Sequence, residues 1–288
     1  MKSLETVPCL YPQSLAEALQ LLSVPQTRGT LLAGGTDLMV QWETGGIPLP
    51  ERAISVCAIA ELGKIEESGE NIIIGSAVTH SAIRNSSLVQ THLPALAQAA
   101  GTVGARQIQS RGTIGGSVAN ASPAGDLAPA LLVTGGTVTV ANKSREREVK
   151  LADFFLGYRK LDLQEDELIV HFSLPKKANG CSEAFRKLGP RKAQAISKVM
   201  GAYRATIKEG KIESFSVALG SVAPTAIRLP KLEEWIEGKE LDDTLLAEAE
   251  KRASDEVTPI DDIRSTANYR KWVSGRLVRF FLEEMTGE

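Results

Sequence analysis

The sequence of 288 residues predicts an α+β fold with a smaller C-terminal unit. Two observations predict it. Two glycine-rich runs, far apart in the chain, each follow a strand pattern and lead towards a helical pattern, and three successive β-rich segments follow residue 180. Hydrophobic residues make up 43% and charged residues 24%, which is typical of a soluble globular protein that buries its own core.

Charge and cysteine content exclude several classes of protein. Lys plus Arg number 33 and Asp plus Glu 35, so the net charge of −2 gives no general attraction to nucleic acid or anionic lipid. The three cysteines are Cys9, Cys57 and Cys181. They are too few and too scattered for a disulfide framework, and they favour a reducing compartment. The apolar run 127–133 is too short to span a bilayer, and the N-terminus lacks a signal-peptide pattern. We therefore expect a cytoplasmic protein.

Metal binding by this chain is not expected. The histidines are His80, His92 and His171. They form no HExxH pair, so we interpret them as surface or core residues. The chain also lacks GxGxxG, GxxxxGK[ST] and GxSxG. Rossmann, P-loop and α/β-hydrolase folds therefore lose their main support.

The N-terminal region begins with a well-marked helix. Ser14 and Glu17 have the spacing of a capping box, and apolar residues follow along one helical face. A strand pattern over 30–33 then stops at Gly34-Gly35, and a helical pattern resumes from Thr36. The order predicted is helix, strand, glycine turn and helix.

The middle region alternates short strands and helices. Three β-rich pieces lie between residues 52 and 75, and the second glycine-rich run covers 111–133. A hairpin with its turn at 142–144 follows, and a last strand from Glu167 ends at Pro175. Residues 177–180 form the best candidate boundary before the C-terminal domain.

The C-terminal domain is predicted to be an antiparallel meander followed by two helices. Glu209-Gly210 supplies the turn between its two longest strands, and a helical stretch covers 242–254. In the final helix, six side chains are expected to share one core-facing stripe: Tyr269, Trp272, Val273, Leu277, Phe280 and Phe281.

The first glycine run, AGGTDL from Ala33, suits a pyrophosphate. Gly34 and Gly35 remove side chains so that phosphate oxygens can approach backbone amides, and Thr36 offers a hydroxyl at a helix start. Asp37 would repel phosphate, so we place it in the first helical turn, where its charge complements the helix dipole. An ordinary tight turn is the competing interpretation of this run taken alone.

The second run, TIGGSVANASPAGD, is richer in small polar groups. Thr113, Ser117 and Asn120 can bond phosphate or ribityl oxygens beside Gly115 and Gly116. Asp126 suits two roles equally well, as an acceptor from sugar hydroxyls or as a helix N-cap.

Together these segments resemble a known family. They look, in their order and over nearly the whole chain, like the FAD-binding or medium subunit of molybdenum hydroxylases. The segments are AGGTDL, TIGGSVANASPAGDLAP, FFLGYRK from Phe154 and RKAQAISKV from Arg191. That family includes xanthine dehydrogenase, nicotinate dehydrogenase and aerobic carbon monoxide dehydrogenase. The resemblance implies a vanillyl-alcohol-oxidase-like (PCMH-type) FAD-binding fold with subdomains over 1–56 and 57–176 and a C-terminal domain over 180–288.

The resemblance also implies which residues hold non-covalent FAD. Two turns would cradle the pyrophosphate. The first contains Leu32, Ala33, Gly34, Gly35, Thr36, Asp37 and Leu38, and the second contains Thr113, Gly115, Gly116 and Ser117. Asn120, Gly125 and Asp126 would lie near ribityl or ribose oxygens. Val103 and Gly104 stand where the xanthine dehydrogenase branch carries a flavin-contacting aromatic residue. Ile169 and Lys187 align with further flavin contacts, and one residue of slippage would replace Lys187 with Arg186.

The chemistry implied for this chain is electron transfer. Three cysteines cannot ligate even one [2Fe-2S] cluster with four thiolates, so the resemblance places such clusters on a small partner subunit and the molybdopterin cofactor on a large one, in a heterotrimer or its dimer. FAD would pass electrons to NAD or another acceptor. No residue here need act as an acid or base, but Lys187 could tune the flavin by stabilising its reduced anion.

Two other functions compete with this one. A free-standing FAD reductase would need a substrate-specific acid, base or nucleophile cluster, and none is evident. A flavin-free scaffold subunit would keep the fold and bind no FAD. The basic stretch 186–198 is interpreted as a subunit-docking or NAD-recruiting segment, because the aromatic interleaving of a nucleic-acid site is missing.

Overall fold

The computed structural model describes residues 4–286 and divides them among three structural units. The first unit is a small three-stranded parallel sheet, in the order β1-β3-β2, with two helices. Its elements are β1 (Cys9–Leu10), α1 (Leu15–Ser23), β2 (Thr30–Leu32), α2 (Leu38–Glu43) and β3 (Ala53–Ser55). The predicted N-cap is confirmed, since Ser14 Oγ accepts from the Glu17 amide. The reciprocal bond of a capping box is shifted by one residue, because Glu17 Oε2 accepts from the Gln13 amide at 2.8 Å and not from that of Ser14.

The second unit is built on a five-stranded antiparallel sheet in the order β4-β5-β10-β6-β7. Its strands are β4 (Ile65–Ser68), β5 (Asn71–Gly75), β6 (Thr137–Ala141), β7 (Glu146–Lys150), the small hairpin β8 (Phe155–Gly157) and β9 (Lys160–Leu161), and β10 (Leu168–Pro175). Its helices are α3 (His80–Asn85), α4 (Ser87–His92), α5 (Pro94–Thr102), α6 (Arg106–Gln109), α7 (Ile114–Asn120), α8 (Leu127–Leu132) and α9 (Leu151–Phe154). The predicted hairpin is confirmed: Asn142 Oδ1 accepts from the amides of Ser144 and Arg145 and so closes its turn.

The third unit is the predicted antiparallel meander, in the order β11-β12-β13-β14. Its elements are β11 (Cys181–Leu188), β12 (Val199–Lys208), β13 (Lys211–Gly220), β14 (Ile227–Arg228), α10 (Pro230–Ile236), α11 (Asp243–Glu256) and α12 (Ala267–Thr286). Glu209 and Gly210 both adopt positive φ, of 52° and 77°, in the turn predicted between β12 and β13.

The units share apolar cores. One face of the C-terminal sheet supplies Phe185, Met200 and Ala202 to the core of the second unit, while the other face packs against α10, α11 and α12. Leu168 and Val170 of β10 join a core with Ile54 of the first unit. This shared packing fixes the walls of any cleft that lies between the units.

The aromatic stripe of α12 is only half buried, which corrects the expectation of one core-facing stripe. Val273, Leu277 and Phe281 are buried, but three aromatic side chains of the set remain 39%, 58% and 43% exposed: Tyr269, Trp272 and Phe280. A helix turns by about 100° per residue, so the six positions cover roughly half of its circumference. The face of the helix that contacts the sheet is narrower than this. Among residues 4–286, no helix is long and apolar enough to cross a membrane.

Candidate functional site

The two glycine-rich turns come together in space. A Cβ at Gly34 would lie 1.9 Å from the carbonyl oxygen of Arg111, so the first turn packs directly against the backbone that leads into the second. Gly115 packs in the same way on Ser76, where a Cβ would lie 2.7 Å from the carbonyl oxygen. Close approach of backbone segments therefore requires glycine at both positions, besides any room left for a ligand.

The second run is not a turn that precedes a helix, as predicted, because Gly115, Gly116, Ser117 and Asn120 lie within α7. Thr113 is its N-cap, with Oγ1 accepting from the Gly116 amide at 3.1 Å. In the first turn, Gly35 adopts a φ of 74°, which favours glycine. Asp37 was expected in the first turn of the helix, but it directly precedes α2, it is exposed, and its side chain makes no capping hydrogen bond.

A cleft begins between these turns. Its first chamber, about 680 Å³ in volume, is walled by both turns and by the start of β10. The predicted residues that line this chamber are Ala33, Gly34, Gly35, Thr36, Asp37, Leu38, Val103, Thr113, Gly115, Gly116, Ser117, Asn120 and Ile169. Leu32 is the exception among the predicted residues of the first turn: it pairs with Ser55 in the sheet and lines neither chamber.

A second chamber of about 1000 Å³ continues the cleft between the second unit and the C-terminal domain. The predicted residues that line it are Asp37, Val103, Gly104, Ser117, Asn120, Gly125, Asp126 and Lys187. Six residues line both chambers and define their junction: Asp37, Val103, Ile108, Ser117, Asn120 and Arg159. The tertiary structure thus gathers two distant motifs and a C-terminal strand around two adjoining cavities that share lining residues.

Asp126 and Lys187 form a buried ion pair in the second chamber. Lys187 Nζ lies 2.5 Å from Asp126 Oδ2, and the side chains are 11% and 6% exposed. The Thr102 hydroxyl also donates to Asp126 Oδ2, at 3.1 Å. Burial raises the pKa of Asp126, and the ammonium group of Lys187 opposes that rise.

This pairing revises both sequence-based roles. Asp126 occupies the N-cap position of α8, as one alternative held, but its side chain makes no capping hydrogen bond there. Lys187 is not a free cation, because the Asp126 carboxylate compensates its charge. The alternative offered by slippage, Arg186, pairs with Glu284 and lines neither chamber.

His80 is a lining residue that the motifs did not reveal. It is 3% exposed, it lines the first chamber, and its Nδ1 is buried without a hydrogen-bond partner in the chain. Burial lowers the pKa of His80 to about 4, so the ring is neutral at pH 7. The sequence signal available was a His directly after a Thr at a helix start, where Thr79 is the N-cap.

Arg159 is the second residue that sequence reasoning missed. It occupies the tip of the β8–β9 hairpin, at the junction of the chambers, and its φ is 52°. The neighbouring Tyr158 is the only aromatic side chain that lines either chamber within residues 4–286. Val103 and Gly104 line the second chamber and supply no aromatic ring.

The basic stretch 186–198 is ion-paired only at its start, and Arg191 and Lys192 are exposed. Arg186 and Lys187 are ion-paired, and the Arg191 guanidinium donates to carbonyl oxygens of its own loop. Lys198 Nζ lies 5.2 Å from the ring centroid of Tyr269. Among the described residues, no group of three or more His, Cys, Asp or Glu side chains could hold a metal ion.

Comparison with known families divides the chain in two. Residues 3–177 match the family described as the FAD binding domain in molybdopterin dehydrogenase. Residues 183–285 match the family described as the CO dehydrogenase flavoprotein C-terminal domain. Together the two matches cover the three structural units.

Individual relatives agree with these matches. The chain is 30% identical over 269 residues to the carbon monoxide dehydrogenase medium chain of Hydrogenophaga pseudoflava, covering 93% of each chain. It is 29% identical to the xanthine dehydrogenase FAD-binding subunit of Escherichia coli O157:H7, covering 89% of this chain and 88% of that one. A solved carbon monoxide dehydrogenase from H. pseudoflava superposes with a TM-score of 0.91 at 29% identity over 95% of each chain.

A second solved structure, the Cu,Mo-CO dehydrogenase in its cyanide-inactivated form, gives a TM-score of 0.92 at 27% identity over 98% of each chain. The similarity therefore extends over the PCMH-type FAD-binding domain and the C-terminal domain together. With the family matches over 3–177 and 183–285, these findings establish the class of oxidoreductase subunit. The chain belongs to the FAD-binding medium subunits of the molybdenum hydroxylase family.

Proposed function

We propose that this FAD-binding subunit takes electrons from [2Fe-2S] clusters of a small partner subunit and delivers them from FAD to NAD or another acceptor. Substrate hydroxylation would take place on a large molybdenum subunit of the same heterotrimer. The observation that carries the proposal is the cleft of two adjoining chambers, which is walled by the two glycine-rich runs. Residues that line it carry buried polar atoms without hydrogen-bond partners in the chain, among them His80 Nδ1 and Asp126 Oδ1.

The residues of the cleft fit FAD. The chambers, of about 680 and 1000 Å³, together exceed the volume of a typical single-ligand pocket, as an elongated dinucleotide requires. His80 Nδ1 and Asp126 Oδ1 are buried without hydrogen-bond partners in the chain, and each lies in a residue that lines the cleft. Such atoms cost free energy unless a ligand satisfies them.

We assign the central part of FAD to the junction of the chambers. The backbone of the first turn and the residues from Thr113 to Ser117 would bind the pyrophosphate, with the adenosine half in the first chamber against Ile169. The isoalloxazine half would enter the second chamber, where Asn120 is positioned for ribityl oxygens and the Asp126–Lys187 pair for the ring.

When bound, FAD supplies the exchange between single electrons and a hydride. The protein's contribution is to hold the cofactor in a cleft whose walls belong to different units. His80 is neutral and offers one N–H and one acceptor nitrogen to the cofactor without adding charge. The Asp126–Lys187 pair presents hydrogen-bonding groups of both signs with no net charge.

The partners follow from what the chain contains. Its three cysteines are free, and a [2Fe-2S] cluster held by thiolates needs four, so the clusters belong to another subunit. Free cysteines suit a reducing compartment, and we expect the complex in the cytoplasm. The exposed aromatic face of α12, with Tyr269, Trp272 and Phe280, is available for contact with a partner subunit.

The first experiment is a visible absorption spectrum of the full chain, purified with its partner subunits and also alone. Heat-released cofactor is then identified by chromatography, and FAD is titrated into any colourless sample. The proposal is supported if FAD is released or bound, and if the flavin absorption is lost when the complex is reduced and recovers when NAD is added. A folded complex that binds no FAD would leave the scaffold function, and full activity of the chain alone would favour a free-standing reductase.

A further inference from the structure

We propose that Arg159 binds the pyrophosphate of FAD and so positions the cofactor across the junction of the two chambers. This inference rests on the proposed function, because it takes FAD as the occupant of the cleft. It adds to the glycine-rich runs a cation from the β8–β9 hairpin that has no carboxylate partner among the described residues.

The position of Arg159 is the first argument. Its side chain lines both chambers, together with Ser117 and Asn120 of α7, at the place where the two turns meet. The nearest polar contact is long: Arg159 Nη1 lies 3.4 Å from Asn120 Oδ1. The guanidinium therefore keeps most of its five N–H donors for a ligand.

The charge of the first chamber is the second argument. Three carboxylates line it: Asp37, Glu165 and Glu167. Glu167 is compensated by Arg147 at 2.7 Å and Glu165 by Arg28 at 3.4 Å, and both arginines lie outside the lining. Asp37 has no ion-pair partner among the described residues, so without Arg159 the lining would be negative and would repel a pyrophosphate.

The second chamber provides no alternative cation. Lys187 is paired with Asp126 at 2.5 Å. Arg264 and Arg270 both pair with Asp262, at 3.2 and 2.8 Å. In the part of the chain that the structure describes, Arg159 is thus the only arginine or lysine in the cleft lining without a carboxylate partner.

The weak contacts of Arg159 within the chain are the third argument. Its φ of 52° lies in the left-handed region that favours glycine, and a non-glycine residue there is strained. The contacts within the chain are weak, since the Asn120 contact is long and the guanidinium lies 6.0 Å from the Tyr158 ring centroid. These weak contacts leave the Arg159 side chain available to a ligand in the cleft.

The test is FAD affinity of the full chain after removal of its flavin, measured by fluorescence quenching at several salt concentrations. Arg159→Gln removes the charge, and Arg159→Gly removes the charge together with the backbone strain. Lys160→Gln is the control, since it removes the same charge from the next residue, which does not line the cleft. We expect both Arg159 variants to bind FAD about 10- to 100-fold more weakly, with a smaller salt dependence, and Lys160→Gln to bind normally.

The glycine variant separates charge from folding, because it should be at least as stable as the wild type while it loses FAD affinity. Affinity for ADP, which carries the pyrophosphate, should fall with that for FAD, whereas affinity for riboflavin should not change. Unchanged FAD affinity in Arg159→Gln, or an equal loss in Lys160→Gln, would overturn the inference. A wild-type chain that binds no FAD would instead overturn the proposed function on which it rests.

Discussion

The buried pair of Asp126 and Lys187 gives the sharpest test of how this cleft is built. We expect removal of either charged group alone to destabilise the folded protein far more than removal of both. Lys187 Nζ lies 2.5 Å from Asp126 Oδ2, and both groups are tied to Thr102, through its hydroxyl and its carbonyl oxygen. Asp126 Oδ2 and the Lys187 ammonium group therefore have partners within the chain, whereas Asp126 Oδ1 has none.

The magnitude follows from the burial of the pair. With side chains only 6% and 11% exposed, a single replacement leaves an uncompensated buried charge, which costs about 3–5 kcal/mol. That is a large share of the roughly 5–15 kcal/mol that stabilises a typical domain. The double replacement Asp126→Leu with Lys187→Met removes both charges, so we expect it to cost much less than the two single replacements together.

The effect of pH has a defined sign. Burial raises the pKa of Asp126 in the folded protein, and Lys187→Met would raise it further. A raised carboxyl pKa contributes stability below the ordinary aspartate pKa of about 3.9, and this contribution is lost as pH rises through the folded value. The loss of stability in Lys187→Met should therefore be greatest at neutral pH and should shrink in acid.

The assay is urea unfolding at pH 7, with Lys208→Met as control. Lys208 pairs with Glu213 at 3.9 Å on the surface, with side chains 68% and 54% exposed, so its removal should cost less than about 1 kcal/mol. A loss in Lys187→Met no larger than in the control would refute the reasoning. The reasoning would also be refuted if the double variant lost as much unfolding free energy as the two single variants together.

The same variants test where the isoalloxazine ring lies. Asp126→Asn leaves the Lys187 charge uncompensated, so the midpoint potential of FAD bound in the second chamber should rise. Lys187→Met removes that cation and should shift the potential in the opposite direction. Potentials unchanged in both variants would place the ring away from this pair.

Three further outcomes can be checked directly. In urea denaturation, Gly34→Ala should lose more than about 2 kcal/mol of unfolding free energy, because its Cβ would lie 1.9 Å from a carbonyl oxygen. Gly63→Ala is the control: its Cβ would lie in open space, so its unfolding free energy should change little. Glu167→Gln should destabilise most at neutral pH, because the hydrogen bond from Arg147 lowers the pKa of Glu167. That difference should vanish in acid titrations as pH falls from about 4.3 through the lowered value. His80→Leu should weaken FAD binding about 10-fold in fluorescence titrations without loss of stability, because it removes an unpartnered buried nitrogen.

Local elements were predictable because their causes lie within a few residues. Ser14 and Glu17 cap α1 through neighbouring amides, and Asn142 closes its turn in the same way. The two glycine turns were identified for a related reason: glycine marks positions where backbone must bend or approach closely. Sequence alone did not reveal that Gly34 and Gly115 pack against other backbone segments.

The α12 helix shows where periodicity stops being informative. Its pattern predicted an amphipathic helix, and the structure contains one. The width of its buried face depends on the sheet that it contacts, so Val273 and Phe281 are buried while Trp272 is exposed. Periodicity gives the direction of a helix face but not the extent of its partner.

The sequence by itself determined the α+β class, most element positions, the two glycine-rich motifs and the family resemblance, since each depends on short-range patterns or on motif order. Only the tertiary structure decided that Asp126 meets Lys187 across 61 residues and that Arg159 reaches the junction of the chambers. It also revealed His80 in the first chamber. These outcomes depend on how three units pack around shared cores, and packing between distant segments leaves no periodic signal along the chain.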